Sequence, residues 1–325
     1  MFTNKDIEFR SIYVINCIEQ RNLRVSNGEV LLEEQQQNKE KKTLTKLPFQ
    51  KILALFVIGH ITVTTPLIEK CHQNGVALVV MKQNLRPVFF ESRSAEANYL
   101  LRQRQYHYPT DDIRVAKALM RSKFSNQLKL LHNTRKRDNL TTEAIQQCNN
   151  ALLQLPATTS YDTLMGLEGV VARCFFKAYY QQIDWHQRAP RTKCDALNAT
   201  LDIGYTILFN FIEVFARMFG FDVYIGVYHR LWFKRKSLVC DLVEPFRCII
   251  DAQTRKAFNL GQFKEADFSI IKNEYRLKFE RNGEYCKIFY TALIDKKQEI
   301  FSFIRDYYRC FMQNKEFESY PTFQY

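Results

Sequence analysis

The chain has 325 residues, enough at roughly 150 per domain for two domains with a sizeable core in each. Forty-seven Lys and Arg against 34 Asp and Glu give a formal charge of +13, and 46% hydrophobic with 14% aromatic content is too apolar for a disordered basic tail. The excess charge therefore belongs to a folded body that faces a polyanion or an anionic surface, and the ten glycines form no G-x-G-x-x-G or G-x-x-x-x-G-K-[ST], which excludes the common phosphate cradles.

In chain order, the opening MFTNKDIEFR is charged and unlike a secretory signal, so a cytoplasmic protein is expected. SIYVIN from Ser11 is a β-branched run, and Asn27-Gly28 between NLRVS and EVLLE predicts a hairpin. The polar stretch QQQNKEKKT from Gln35 suits an exposed loop. ILALFVIGHITVTTP from Ile52 supplies a buried strand, LIEKCHQNG a helix closing at Gly75, VALVVMK a further strand, and NLRPVFFES the end of the β region. Nine cysteines without a C-x-x-C read as reduced thiols, and Cys71 beside His72 lacks the second pair that a zinc site needs.

From about Ala95 the hydrophobic period changes from two toward 3.6. AEANYLLRQRQYH, DDIRVAKALMRSKFSNQLKLLHN and TTEAIQQCNNALLQL read as amphipathic helices, with Asp111 and Thr141 as N-caps of the last two. The expected fold is α+β: a small N-terminal β-rich domain over 1–90, then a larger all-α domain over 91–325. The apolar segment from Gly204 is broken by Asn210, Glu213 and Arg217, which argues against a membrane span.

Between residues 121 and 137, Arg121, Lys123, Lys129, Arg135, Lys136 and Arg137 occur without an acid, a pattern that suits either phosphate contact or a solvated helix face. Arg230, Lys234, Arg235 and Lys236 surround Trp232 and Phe233 in a similar basic-aromatic mixture. Wound as a helix, SYDTLMGLEGVVARCFFKAYY places Leu164, Leu167, Val171 and Phe175 on one face together with Glu168. A carboxylate there needs a cation or a partner, the plain alternative being an Arg from a neighbouring helix. The flanking Gly166 and Gly169 suit close approach of another backbone. His229 precedes the basic loop, and Asp241 and Glu244 fall at i and i+3; a capping box would also explain that pair. Carboxylates and an imidazole in a basic chain suit Mg²⁺ or Mn²⁺ acting on a phosphodiester.

LMGLEGVVAR, CDALNATLDIGYTIL, GVYH and SLVCDLVEPFR resemble, in order and spacing, the landmark motifs of the CRISPR-associated adaptation integrase, the Cas-one family. HITVTTPLIEKCHQNGVALVVM, KFSNQLKLL and the closing YPTF extend the resemblance over nearly the whole chain. It implies a β domain joined to a helical catalytic domain, a homodimer, and a small ferredoxin-like Cas-two partner. It also implies metal-dependent insertion of double-stranded spacer DNA into a CRISPR repeat, by attack of a 3′-hydroxyl on a phosphodiester. By the same resemblance Glu168, His229 and Glu244 hold the metal, Asp241 is an auxiliary carboxylate, and Asn198 and Tyr205 line or support the site. His229 as a neutral ligand implies that activity falls on acidification. The turn after His229, Arg230 to Lys236, departs from the short Gly-containing or acidic turn of many members. A structure-selective metal nuclease and a non-catalytic nucleic-acid scaffold are the alternatives.

Overall fold

The computed structural model describes residues 2–35, 41–92, 98–135, 138–183, 185 and 187–325. These fall into two compact units, residues 1–99 with 213–221, and 100–212 with 222–325.

The first unit opens on a short helix, α1 (Asn4–Phe9), that the sequence reading does not anticipate; Thr3 caps it, and its side chain accepts from the Asp6 backbone N–H. A six-stranded sheet follows, from β1 (Ser11–Ser26), β2 (Glu29–Gln35), β3 (Lys41–Pro48), β4 (Ile52–Val63), β5 (Ala77–Met81) and β6 (Pro87–Glu91). The order across the sheet is β3-β2-β1-β4-β5-β6, with β1, β4 and β5 mutually parallel and the outer strands antiparallel. The Asn27-Gly28 hairpin forms as the dipeptide predicts, both residues taking positive φ (51° and 74°), which a two-residue turn with the strands' own twist requires. The two ends of the stretch expected as a loop from Gln35 are strand, Gln35 closing β2. Residues 36–40 lie outside the described residues, and Lys41–Thr43 belong to β3, where Lys42 stands opposite Glu34 in the ladder. Cross-strand charge pairing lets a lysine-rich segment enter a sheet.

Helix α2 (Thr65–Asn74) connects β4 to the parallel β5 and closes at Gly75, whose φ of 67° provides the left-handed cap. The helix packs its buried Leu67 and Cys71 with Leu55, Val57 and Leu78. The buried Ile52–Ile58 run of β4 explains why that segment reads as continuously apolar rather than alternating.

The second unit is built from α3 (Tyr99–Tyr106), α4 (Arg114–His132), α5 (Asn139–Gln154), α6 (Tyr161–Tyr179), α7 (Ala196–Met218), α8 (Ser237–Val243), α9 (Arg247–Asn259), α10 (Asn282–Asp295) and α11 (Lys297–Met312), the end of α7 grouping with the first unit. A small hairpin, β7 (Phe268–Ile271) with β8 (Glu274–Leu277), interrupts the otherwise helical unit. The N-caps differ from the sequence reading. The Asp138 carboxylate accepts from Thr141 N at 2.8 Å, so Thr141 is the capped residue, and α4 begins after Asp112, whose side chain accepts from Arg114 N.

Helix α7 is the one described helix long and apolar enough to cross a membrane, and 72% of its most apolar window is buried inside the protein. Among the described residues eight cysteines are free thiols. Helix α4 packs against α5, α6, α8 and α9, and so faces both Glu168 on α6 and the Glu244–Phe246 turn between α8 and α9.

Candidate active site

Helix α6 starts at Ser160, whose hydroxyl accepts from Thr163 N. Leu164, Val171 and Phe175 turn into the core as the 100° periodicity predicts, and Leu167 is half-buried. Glu168 shares that face with its side chain 25% exposed. It is paired, with a lysine where the plain alternative placed an arginine. Lys123 Nζ lies 2.5 Å from Glu168 Oε1 and 2.7 Å from Glu244 Oε2, so one buried ammonium joins two carboxylates from different elements. Tyr228 donates its hydroxyl to the other oxygen of Glu168, Oε2. Burial alone would push the Glu168 carboxyl up, but the Lys123 ammonium and the hydrogen bonds from Lys123 and Tyr228 outweigh it and hold it at about 2. Lys123 is itself held protonated: burial acts to lower its value, and the two glutamates raise it.

Glu244 is 3% exposed, and Arg247 Nε stands 3.4 Å from its Oε1. Its Oε2, though within ion-pair distance of Lys123, receives no aligned hydrogen bond. The cation that this oxygen faces is the Lys123 ammonium, held by charge rather than by an aligned hydrogen bond.

The capping box that offered another explanation of Asp241 and Glu244 is not what the chain builds. Asp241 lies inside α8, wholly buried, and its carboxylate accepts the backbone N–H groups of Val227, Tyr228 and His229 at 2.6, 3.1 and 2.8 Å. Its Oδ1 also meets His229 Nδ1 at 2.7 Å. With Nδ1 engaged, Nε2 is the nitrogen His229 has left to offer, a carboxylate behind an imidazole being the usual way a ligating histidine is aimed. Asp241 thus orients the loop and the ring rather than facing the solvent. Gly226 makes this possible, because a Cβ there would lie 2.6 Å from Asp241 Oδ2 and 2.8 Å from the Ser237 carbonyl carbon.

The glutamates and the histidine–aspartate pair meet through neighbouring residues, Tyr228 reaching Glu168 and His229 reaching Asp241. Among the described residues no three His, Cys, Asp or Glu side chains form a ready metal cage. Two carboxylates gathered on one ammonium, and an imidazole whose Nδ1 is held by Asp241, nonetheless fit a hard divalent cation by donor type. The fit is that of a site closed on its own lysine.

Tyr205 donates to Asp251 Oδ1 at 2.6 Å, and its ring is covered by the Arg247 guanidinium at 4.5 Å. It supports the arginine that stands beside Glu244. Asn198 is fully buried and spends its amide on the loop before α7, accepting from Arg188 and Ala189 N and donating to the Gln187 carbonyl.

Of the basic residues singled out in the sequence, Lys123 is the interior ammonium just described, and Arg121 is half-buried, donating to the Tyr320 carbonyl at 2.6 Å and covering the Phe317 ring. Lys129, Arg135, Arg230 and Lys234 are exposed or partly so, Arg235 and Lys236 half-buried, and Lys136 and Arg137 lie outside the described residues. Trp232 and Phe233 are exposed between them. Gly166 and Gly169 receive no close backbone from this chain, since a Cβ at either would meet nothing within 4 Å.

Sequence reading by residue type missed Lys123 and Tyr228 as parts of the site. Lys123 stands four residues after Leu119 and seven before Leu130, in phase with the apolar face of α4, which is the signal that could have found it.

The chain shares its fold with a casposase and with a Cas1-containing complex of solved structure. It superposes on a casposase bound to integration product with a TM-score of 0.75 over 97% of this chain and 94% of that one, at 18% identity. It also superposes on a Cas6-RT-Cas1–Cas2 complex with a TM-score of 0.76 over 96% of this chain and 36% of that one, again at 18% identity. The family is narrower than the fold: the family model described as CRISPR associated protein Cas1 matches residues 15–290, and the chain belongs to that family. A CRISPR-associated endonuclease Cas1 of Thermodesulfovibrio yellowstonii is 27% identical over 252 residues, covering 74% of this chain and 77% of the relative.

Proposed function

We propose that this chain is a CRISPR spacer-acquisition integrase and endonuclease. It joins the 3′-hydroxyl ends of double-stranded spacer precursors into the repeat of a CRISPR array by metal-dependent transesterification. The observation that carries the reading is the meeting of Glu168 and Glu244 on one buried ammonium, beside an imidazole oriented by Asp241. Glu168, Glu244 and His229 Nε2 would hold a divalent ion, Mg²⁺ or Mn²⁺. When bound, that ion supplies charge stabilisation at the phosphodiester and at the attacking and leaving oxygens.

The protein's own groups set the stage for that reaction. Tyr228 fixes the rotamer of Glu168, Asp241 fixes the ring of His229, and Arg247 with Tyr205 behind it flanks Glu244 in a buried turn. Lys129, Arg135, Arg230 and Lys234 would contact DNA phosphates. The chain would work as a cytoplasmic homodimer with a small ferredoxin-like Cas-two protein, residues 1–90 serving dimerisation and partner contacts and residues 91–325 catalysis.

The test incubates the protein with a labelled duplex bearing free 3′-hydroxyls and a supercoiled repeat plasmid. Joined product is the expected outcome, and Glu168→Ala lowers it at least about 100-fold while DNA binding persists. Nicked plasmid without joined product would mean hydrolysis with water as the nucleophile instead. Full joining by Glu168→Ala would remove the catalytic role altogether.

A further inference from the structure

Lys123 occupies the position between Glu168 and Glu244 that the proposed function gives to a divalent cation, and its role rests on that function. The side chain is 6% exposed, reaches both carboxylates within 2.7 Å, and comes from a third element, α4. Two neighbouring carboxylates repel each other, and Glu244 has almost no water to solvate it, so one guanidinium, Arg247 at 3.4 Å, leaves the pair a charge short and a second cation is needed between them. A divalent ion brings positive charge to the same oxygens. The ammonium and a divalent ion would compete, because Glu168 Oε2 is taken by Tyr228 and Glu244 Oε1 lies beside Arg247, so the oxygens left on each carboxylate are those that face Lys123.

We infer that Lys123 is a resident counter-ion that holds the two glutamates together before metal arrives, and that metal loading displaces it from at least one of them. It is a positioning residue whose cost is metal affinity. The ammonium donates an aligned hydrogen bond to Glu168 Oε1 at 2.5 Å and makes only an unaligned ion pair with Glu244 Oε2 at 2.7 Å, so Glu244 is the grip released first. Helix α4 is in turn anchored around Lys123, with Ser122 accepting from Phe323 N and Asn126 donating to the carbonyls of Pro245 and Phe323. The backbone therefore stays in place and the displacement is confined to the lysine side chain.

The experiment measures Mn²⁺ binding from the free-ion electron paramagnetic resonance signal, with melting temperature recorded with and without Mn²⁺, for the wild type, Lys123→Gln, Lys123→Arg and Glu244→Gln. Lys123→Gln binds Mn²⁺ at least about tenfold more tightly than the wild type, melts lower without metal, and gains more from Mn²⁺. Lys123→Arg, which keeps the charge, does not tighten. A folded Lys123→Gln that binds Mn²⁺ equally or more weakly than the wild type overturns the inference and leaves the metal site standing. No Mn²⁺ binding by the wild type or by Lys123→Gln that Glu244→Gln removes overturns the metal-site reading itself. If Lys123→Gln does not fold, acylation of Lys123 in the wild type decides, read by mass spectrometry. A several-fold rise with saturating Mn²⁺ supports displacement, and an unchanged yield rejects it.

Discussion

Asp251 is 2% exposed, and it accepts from Tyr205 at 2.6 Å and from Tyr180 at 3.3 Å, which ties the site to pH. Burial is the dominant influence and pushes its carboxyl up from 3.8 to about 6, the hydrogen bonds and the guanidinium groups of Arg247 and Arg188 offsetting only part of it. A carboxyl raised by folding contributes stability that is complete below its unfolded value and is lost as pH rises through the folded one. Between pH 4 and pH 6 the wild type should therefore lose about 2 kcal/mol of stability from this group as pH rises, the steepest part of the fall approaching about 1.36 kcal/mol per unit. Asp251→Asn, which keeps an acceptor for Tyr205, should remove that slope in urea titrations across the range, and an unaltered slope would assign it to other groups.

The loop that carries His229 and helix α8 behave as one element. The carboxylate of Asp241 binds three consecutive backbone N–H groups, and Gly226 lets the loop lie against it without a side chain between them. Gly226→Ala places a methyl group 2.6 Å from Asp241 Oδ2, so the loop must move outward and take His229 with it. Overpacking of this kind costs roughly 1–3 kcal/mol, seen as a lower denaturant midpoint, and joining should fall at least about tenfold. The C-terminal segment steadies α4 in a comparable way. Arg121, Ser122 and Asn126 hold residues 320–325 by hydrogen bonds, and Phe323 packs edge-on to Phe246 with ring centroids 4.8 Å apart. Tyr320 and Phe323 are both buried, so these two side chains of the closing segment belong to the core that supports Lys123 and the Glu244 turn.

Across the protein, the charge of +13 governs encounter rather than chemistry. Replacing Lys129, Arg135, Arg230 and Lys234 together by Gln removes four cations without touching the buried site. DNA affinity should weaken, and the slope of log affinity against log salt should become shallower by up to about 3.6, each lost phosphate contact contributing about 0.9. The melting temperature should stay within about two degrees, because exposed charges contribute little to stability. An unchanged slope would move the DNA surface elsewhere.

Features that depend on neighbours close in the chain were legible from the linear order of residues. The Asn27-Gly28 turn, the cap at Gly75 and the apolar face of α6 are set by local dihedral and periodicity constraints, and so is the placing of Glu168 on that face. Motif resemblance added which distant residues belong together, without their geometry. Tertiary packing alone decided that Lys123 joins Glu168 to Glu244, that Asp241 faces backbone instead of solvent, and that Lys41–Thr43 join the sheet. The reason is common to all three. A charged side chain is read as solvated until a partner from another element makes its burial or its pairing tolerable, and that partner is supplied by contacts the linear chain does not display.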